Sequence, residues 1–136
     1  MTDQYAVIGN PIAHSKSPLI HQAFAKQTRQ DISYERILAP LDGFADTVKE
    51  LIAQGYKGVN VTVPFKFEAY AMADVRQPRT LLTQAANTML FDASGITVDN
   101  TDGAGLVRDI VNNLKHELRG KRILLLGAGG ASEGVL

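Results

Sequence analysis

Hydrophobic and polar residues alternate most regularly over residues 58–63, where valines at every second position are separated by Asn60 and Thr62. This period of two is typical of a β-strand with one buried face and one face that carries hydrogen-bonding groups. Pro64 ends the predicted strand because proline has no N–H to donate. Helix-forming residues follow, so Lys66 is expected where a strand passes into a helix, at the sheet edge where α/β proteins bind ligands.

A purely structural interpretation of this segment fits its spacing equally well. Asn60 and Thr62 would then satisfy neighbouring backbone groups, and Lys66 would be a solvated charge at a helix start. A cation in a first helical turn, however, faces the positive end of the helix dipole, which is unfavourable by roughly 0.3–1 kcal/mol unless another group compensates. The position of Lys66 therefore favours a functional role only mildly.

The same reasoning along the whole chain predicts strands that alternate with helices. Strands are predicted at residues 5–8, 32–38, 58–63, 87–91, 96–98 and 123–126, and helices after residues 17, 43, 64 and 101. Pro78 is expected to interrupt any helix between residues 74 and 84. This alternation predicts an α/β fold with an open, twisted, mostly parallel sheet, helices on both faces and one antiparallel hairpin.

Two serines precede the first predicted helix. Ser17 is a good N-cap and Pro18 a good first helical residue, so helix capping alone explains Ser17. Ser15 then has no predicted structural role. Hydroxyl groups beside the free N–H groups of a helix start can bind a carboxylate or a phosphate. The pair therefore modestly favours a site for an anion.

Asp102 follows the last strand of the predicted hairpin and precedes another helix with an apolar face. Capping of that helix, by Thr101 or by Asp102 itself, is a sufficient structural explanation for the acid. Asp102 nevertheless lies at the end of a strand, as Lys66 does.

An apolar segment at residues 123–126 runs directly into the glycine-rich sequence at residues 127–132. A strand that opens into Gly-x-Gly is typical of a dinucleotide-binding unit, although Ser132 occupies the third glycine position and weakens the motif. A Rossmann half also needs further strands and a ribose-reading residue about 20 positions on. The sequence is therefore interpreted as the front portion of a longer protein.

Composition restricts the classes of protein further. The 136 residues, 45% of them hydrophobic, suffice for one cored domain or for one domain and part of another. Fourteen basic residues balance fourteen acidic ones, which argues against nucleic-acid and membrane-surface binding. The absence of cysteine excludes disulfides and thiol chemistry, and His14, His21 and His116 suggest no metal site. With neither a leader nor a membrane-spanning run, a cytoplasmic enzyme or binding protein is expected.

Five motifs in order and spacing resemble shikimate dehydrogenase. They cover residues 8–18, 60–66, 86–88, 99–103 and 127–132. The resemblance extends over nearly the whole chain, but only over the substrate domain and the first Rossmann turn of the family's fold. It implies a substrate-binding domain at residues 1–101, followed at residues 102–136 by a linking helix and the truncated start of a dinucleotide-binding domain.

The resemblance implies NADP-dependent, reversible reduction of 3-dehydroshikimate to shikimate in aromatic amino-acid biosynthesis. Lys66 and Asp102 would form the catalytic acid–base pair and also contact the substrate. Small-molecule substrate and NADP would be the only ligands, without metal, and a homodimer is left open. The remaining implied contacts are Ser15 and Ser17 with the substrate carboxylate, Asn60, Thr62, Asn87 and Asp102 with the ring hydroxyls, and Gly127, Ala128, Gly129, Gly130 and Ala131 with the cofactor phosphates.

Two alternatives stay open at this point. One is a shikimate-binding module without catalysis, because the 136 residues lack most of a cofactor site and are expected to be inactive alone. The other is a dehydrogenase that acts on quinate or another polyhydroxy ring acid. Several positions also depart from the resembled family. Gln84 and Val98 stand where glycines are expected, and Glu133 stands where an arginine is common. Residues 75–79, with Gln77, replace a helical segment that usually offers an acidic residue near the cofactor.

Overall fold

A single six-stranded sheet forms the centre of the protein in the computed structural model, which describes residues 2–135. Its strands are β1 (Asp3–Gly9), β2 (Ile32–Leu38), β3 (Gly58–Val61), β4 (Val75–Arg76), β5 (Thr88–Asp92) and β6 (Gly95–Asp99). They lie side by side in the order β2-β1-β3-β5-β6-β4. β1 is parallel to β2 and β3, and β4 is parallel to β6, whereas β5 is antiparallel to both β3 and β6.

Helices connect the strands and cover both faces of the sheet. They are α1 (Ser17–Thr28), α2 (Phe44–Ala53), α3 (Lys66–Ala71), α4 (Pro78–Thr83), α5 (Asp102–Arg108) and α6 (Gly130–Glu133), with a π-helical segment (Asp109–Asn113) directly after α5. Within residues 2–135, no helix combines the length and the apolar character that a membrane crossing requires. The predicted α/β class, with a mostly parallel sheet and one hairpin, is confirmed.

The main hydrophobic core lies between the sheet and helices α2 and α3. Phe44 of α2 and Phe65, just before α3, are fully buried, and their rings stack with centroids 4.8 Å apart. Apolar side chains of four strands complete this core, namely Ala6, Ile8, Val59, Val61, Met89, Phe91 and Val98. Burial of so many apolar groups on one face fixes the register of the strands, because a slip of one residue would expose the whole set.

Strand register also sets the order of side chains on the opposite face, which α1 covers. Arg36, Val7, Asn60, Thr88 and Asp99 are successive register partners from β2 to β6. Register partners on neighbouring strands point to the same face of a sheet. We call these five residues the polar row, since four of them carry polar side chains.

Two helix starts differ from the sequence-based prediction. α1 begins one residue early, so that Lys16 is its N-cap and Ser17 its first residue, and no side chain caps it. Pro78, predicted to interrupt a helix, instead begins α4. A proline is tolerated there because the first N–H groups of a helix have no partner within the helix.

Two strand predictions also need correction. β3 ends at Val61, and Val63, predicted to lie on the apolar face of this strand, is 55% exposed. Residues 123–126, predicted to form a strand, have no regular structure. No strand among residues 2–135 pairs with them, so their backbone groups have no ladder to join. The glycine-rich turn leads into α6, and residues 1 and 136 lie outside the described part of the chain.

Candidate active site

A close ion pair joins two residues that are 36 positions apart in the sequence. The Lys66 Nζ atom lies 2.5 Å from the Asp102 Oδ2 atom, and the two side chains are 14% and 31% exposed. Each residue is the first of its helix, α3 and α5 respectively. The carboxylate therefore supplies the compensating negative charge that a lysine at a helix N-terminus needs.

Asn87 holds the other oxygen of this carboxylate. Its Nδ2 atom donates to Asp102 Oδ1 at 2.7 Å and to Thr101 Oγ1 at 2.9 Å, and its Oδ1 atom accepts from the Thr101 N–H at 3.0 Å. Behind it, the buried Asn100 accepts from the Asp102 N–H at 3.1 Å and donates to the Ala85 carbonyl at 3.0 Å. Both the position and the orientation of the acid are therefore fixed by neighbouring groups.

Asn60, in the middle of the polar row, is held by side chains from two neighbouring elements. The Tyr34 hydroxyl donates to Asn60 Oδ1 at 2.7 Å, and Asn60 Nδ2 donates to Thr88 Oγ1 at 3.2 Å. The Tyr34 ring is buried and stacks on the His21 imidazole, with centroids 4.2 Å apart. Burial raises the pKa of Tyr34 and lowers the pKa of His21, so both are neutral near pH 7.

The two serines before α1 have exchanged the roles predicted for them. Ser15, predicted to be free, accepts the Ser17 N–H on its Oγ atom at 3.3 Å and donates to the Ser17 hydroxyl at 3.2 Å. Ser17, predicted to be the cap, makes no capping bond. The Ser15 carbonyl in turn accepts two hydrogen bonds from Arg36, at 2.9 Å and 2.7 Å.

These groups border one polar cavity of about 270 Å³. It is lined by Val7, Ser17, His21, Asn60, Val61, Thr62, Lys66, Asn87 and Asp102. Six of the seven residues predicted to contact a substrate are in this lining, and the seventh, Ser15, lies behind Ser17. A larger cavity of about 360 Å³ shares His21 and Asn60 but is mainly apolar and has no lysine or carboxylate in its lining. The smaller cavity is therefore the candidate site.

Thr62 enters this lining because the chain passes very close to Gly9. The Thr62 N–H donates to the Ile8 carbonyl at 2.9 Å. A Cβ atom at position 9 would lie 2.5 Å from Thr62 Cγ2 and 2.9 Å from Ile12 Cδ1. Only glycine allows the end of β1 and the segment after β3 to approach so closely.

The glycine-rich turn at residues 127–131 is not part of this cavity. Gly127, Ala128, Gly129 and Ala131 are not among the described residues that line the 270 Å³ space. Gly127 has φ +123, and no atom lies within 4 Å of a Cβ placed at Gly129. Such exposed glycine backbone can approach a phosphate closely, so the turn suits a diphosphate. No group of three or more potential metal ligands occurs within residues 2–135.

Sequence reasoning missed four residues that shape the site, namely His21, Tyr34, Arg36 and Thr101. Tyr34 and Arg36 are two positions apart on a correctly predicted strand, so their common face could have been deduced from its period. Their partners depend on strand order and on the path of a loop. Neither leaves a signal in local sequence.

Comparison with known proteins identifies one family. Residues 7–89 match the model of the shikimate dehydrogenase substrate binding domain. A relative from Herminiimonas arsenicoxydans, a shikimate dehydrogenase (NADP(+)), is 62% identical over 136 residues, which are 100% of this chain and 50% of the relative. The chain thus spans about half the length of the curated relatives it matches.

Two solved structures show the same fold over nearly the whole chain. An Ael1 enzyme from Pseudomonas putida has a TM-score of 0.93 and 48% identity, with 98% of this chain and 49% of that chain covered. Shikimate 5-dehydrogenase from Thermus thermophilus, in complex with NADP(H) and shikimate, has a TM-score of 0.89 and 34% identity, with 98% and 50% covered.

Proposed function

The chain belongs to the shikimate dehydrogenase family through its substrate-binding domain, and from this premise we propose that the protein containing it reduces 3-dehydroshikimate reversibly to shikimate with NADPH. One observation carries the proposal. The Lys66–Asp102 ion pair borders the same cavity as the amide and hydroxyl groups of Asn60, Thr62 and Asn87. A proton donor and groups that can bind hydroxyls would thereby surround one small ligand.

The polar lining suits a small, polyhydroxylated ring acid. We assign Ser15 and Ser17 to the substrate carboxylate, because two hydroxyls converge there at the start of α1. The ring hydroxyls are assigned to Asn60, Thr62, Asn87 and Asp102, with Lys66 beside the reacting oxygen. A site built to hydrogen-bond hydroxyls rejects analogues that lack them, because its own polar groups would be left unpaired.

Lys66 and Asp102 would carry out the proton transfer. NADPH would supply the hydride when bound, and the backbone of residues 127–131 would hold its phosphates. As the ketone carbon is reduced, negative charge builds on its oxygen, and the Lys66 ammonium would donate a proton there. Asp102 would orient the ammonium, and Asn87 would hold Asp102. In the oxidative direction, Lys66 would accept the proton from the same hydroxyl.

The proposal extends to the organisation of the chain. We assign residues 1–101 to the substrate-binding domain, because the sheet ends with β6 at Asp99. Residues 102–136 would be the linking helix and the start of a dinucleotide-binding domain. A cytoplasmic location fits the complete absence of cysteine. A homodimer is also proposed, to be tested by analytical ultracentrifugation of the full-length protein.

Kinetics of the full-length protein, meaning this sequence continued to the length of its relatives, test the proposal. We expect turnover of shikimate with NADP+, slower turnover of quinate, and a loss of at least about 100-fold in kcat for Lys66→Ala, the low end for a general acid. Lys57→Ala is the matched control, because Lys57 is exposed at the opposite end of β3. Wild-type kcat in the Lys66→Ala variant would contradict the assigned chemistry.

A separate measurement concerns the chain of residues 1–136 by itself. The glycine turn is not part of the lining found for the candidate cavity, so substrate binding would not require the cofactor site. We expect calorimetry to detect shikimate binding to this chain, and spectrophotometry to detect no NADP+ reduction. Full activity of the 136 residues would contradict the proposal that this chain binds the substrate but does not reduce NADP+ by itself.

A further inference from the structure

Arg36 does not line the candidate cavity, yet it contacts the loop that carries Ser15 and leads into Ser17, the first residue of α1. Its Nε and Nη2 atoms donate to the Ser15 carbonyl oxygen at 2.9 Å and 2.7 Å. The Ser15 hydroxyl then contacts both the N–H and the hydroxyl of Ser17. Because the guanidinium is planar and its donors are rigidly spaced, two bonds to one oxygen fix the direction of that carbonyl as well as its distance.

Strand register explains why Arg36 can reach this loop. Arg36 is the register partner of Val7, which lines the cavity, and both belong to the polar row. The adjacent Glu35 points to the other face of the sheet, where it accepts a hydrogen bond from Tyr56. Arg36 takes part in none of the ion pairs found among residues 2–135, so no paired carboxylate neutralises its charge.

We propose that Arg36 is a positioning residue that makes the site selective for anionic ring acids over neutral analogues, an inference that rests on the proposed function. It holds the Ser15 carbonyl so that the two serine hydroxyls converge on one point. Its positive charge also lies next to Ser15, whose hydroxyl, like that of Ser17, carries no charge itself. Both effects favour a carboxylate, and neither acts on the ring hydroxyls at the other end of the cavity.

Removal of Arg36 should leave the fold intact, because other bonds anchor the same loop. Asn10 donates from its Nδ2 atom to the Ala39 carbonyl at 2.9 Å and from its backbone to the Val63 carbonyl at 3.0 Å. The Ser15 N–H donates to the Ile12 carbonyl at 3.0 Å. Arg36 itself is an exposed side chain. Its loss would therefore loosen the serine end of the loop without unfolding the sheet.

The test compares shikimate with its uncharged methyl ester in the full-length protein. We expect Arg36→Met to raise KM for shikimate about tenfold, the loss typical of one charged hydrogen-bond donor, with kcat within about twofold. The affinity of the ester, measured as substrate or competitive inhibitor, should change less than about twofold. Arg36→Lys, which keeps the charge but not the paired donors, should raise KM for shikimate about threefold.

Lys26→Met is the matched control, because it removes one positive charge from an exposed position on α1. It should change neither KM nor the preference for the acid. Equal losses for acid and ester in Arg36→Met would show that Arg36 only stabilises the loop, and unchanged KM would show that it does not act on the site. If Arg36→Met does not fold, shikimate and its methyl ester are compared in Arg36→Lys instead. Absence of shikimate turnover in the unaltered protein would instead overturn the proposed function.

Discussion

Two segments of the chain share a sequence pattern but differ in structure. Residues 3–28 and residues 123–133 each pass from apolar residues through a turn that contains glycine into a helix. In the first segment, β1 pairs with β2 on one side and β3 on the other, and Ile8 is completely buried. In the second, residues 123–126 pair with no described strand, and Leu126 is 84% exposed.

The difference shows what an apolar run and a glycine turn require in order to form a site. Neighbouring strands supply the hydrogen-bond ladder that holds β1, and side chains from those strands then fix the loop that follows it. The loop between β1 and α1, residues 10–16, is held by Arg36 and Asn10. It leads into the polar groups that border the candidate cavity. The glycine turn has the right composition, but no strand in the described part of the chain pairs with the segment before it. Substitutions of glycine should therefore have very different consequences in the two segments.

Gly9→Ala should have the largest effect on stability. The added Cβ atom would lie 2.5 Å from Thr62 Cγ2 and 3.2 Å from the Val63 carbonyl oxygen, so two chain segments must move apart. Forcing an extra carbon into a packed site typically destabilises a protein by about 1–3 kcal/mol. We expect a loss of about 2 kcal/mol in the free energy of unfolding of the chain, measured by urea titration with circular dichroism.

The matched control for this substitution is Gly105→Ala. Gly105 lies within α5, and no atom lies within 4 Å of a Cβ placed there. Alanine in a helix is more favourable than glycine by roughly 0.5–1 kcal/mol, so this variant should be at least as stable as the unaltered chain. Equal unfolding free energies for the two variants would show that the close approach at Gly9 does not constrain the fold.

Gln84→Gly should have a smaller effect of the opposite sign. Gln84 ends α4 with φ 47° and ψ 26°, in the left-handed region that favours glycine, the residue that the family resemblance led us to expect there. Glycine at this position removes the cost of the left-handed conformation, but it also gives the unfolded chain more conformational freedom. The net result should be a stabilisation of the chain by about 0.5–1 kcal/mol. The same urea titration measures the gain.

Gln54→Gly is the natural counterpart, because Gln54 also ends a helix but has φ −79 and ψ −4. Glycine at position 54 relieves no unfavourable backbone conformation and adds conformational freedom to the unfolded chain. The free energy of unfolding of this variant should therefore fall by about 0.5–1 kcal/mol. The two substitutions replace the same residue at the same kind of position. A loss of stability in both would mean that the left-handed conformation of Gln84 carries no energetic penalty.

Local sequence predicted those parts of the fold that depend on local patterns. β2 was predicted with its observed bounds, the β5–β6 hairpin was predicted from its turn, and Lys66 was placed correctly at a strand-to-helix junction. The period of apolar residues and the chemistry of turns determine all three. Strand 123–126 failed because strand formation needs a partner that the described residues do not contain.

The candidate site could be predicted only in part, for a related reason. Residue types at strand ends indicated Asn60, Lys66 and Asp102, and the structure brings them to one cavity. The exchanged roles of the two serines could not be predicted, because they depend on where Arg36 meets the loop. That contact follows from parallel pairing of β1 and β2, which sequence periodicity does not specify.

Gly129→Val should have the smallest effect on the stability of the chain and thus tests the other half of the comparison. Among the described residues, no atom lies within 4 Å of a Cβ at this position, so the branch point of a larger side chain meets no neighbour there. We expect the unfolding free energy to change by less than about 0.5 kcal/mol, the usual range for surface substitutions.

In the full-length protein, the same Gly129→Val side chain should block the approach of the backbone to the cofactor diphosphate. We expect KM for NADPH to rise at least about tenfold while KM for shikimate stays unchanged, since the turn lies outside the substrate cavity. Unchanged KM for NADPH would remove Gly129 from the proposed cofactor site. A loss of chain stability as large as that of Gly9→Ala would instead show that both glycine turns are packed alike. The expected pair of results separates a glycine that the fold requires from one that only a ligand requires.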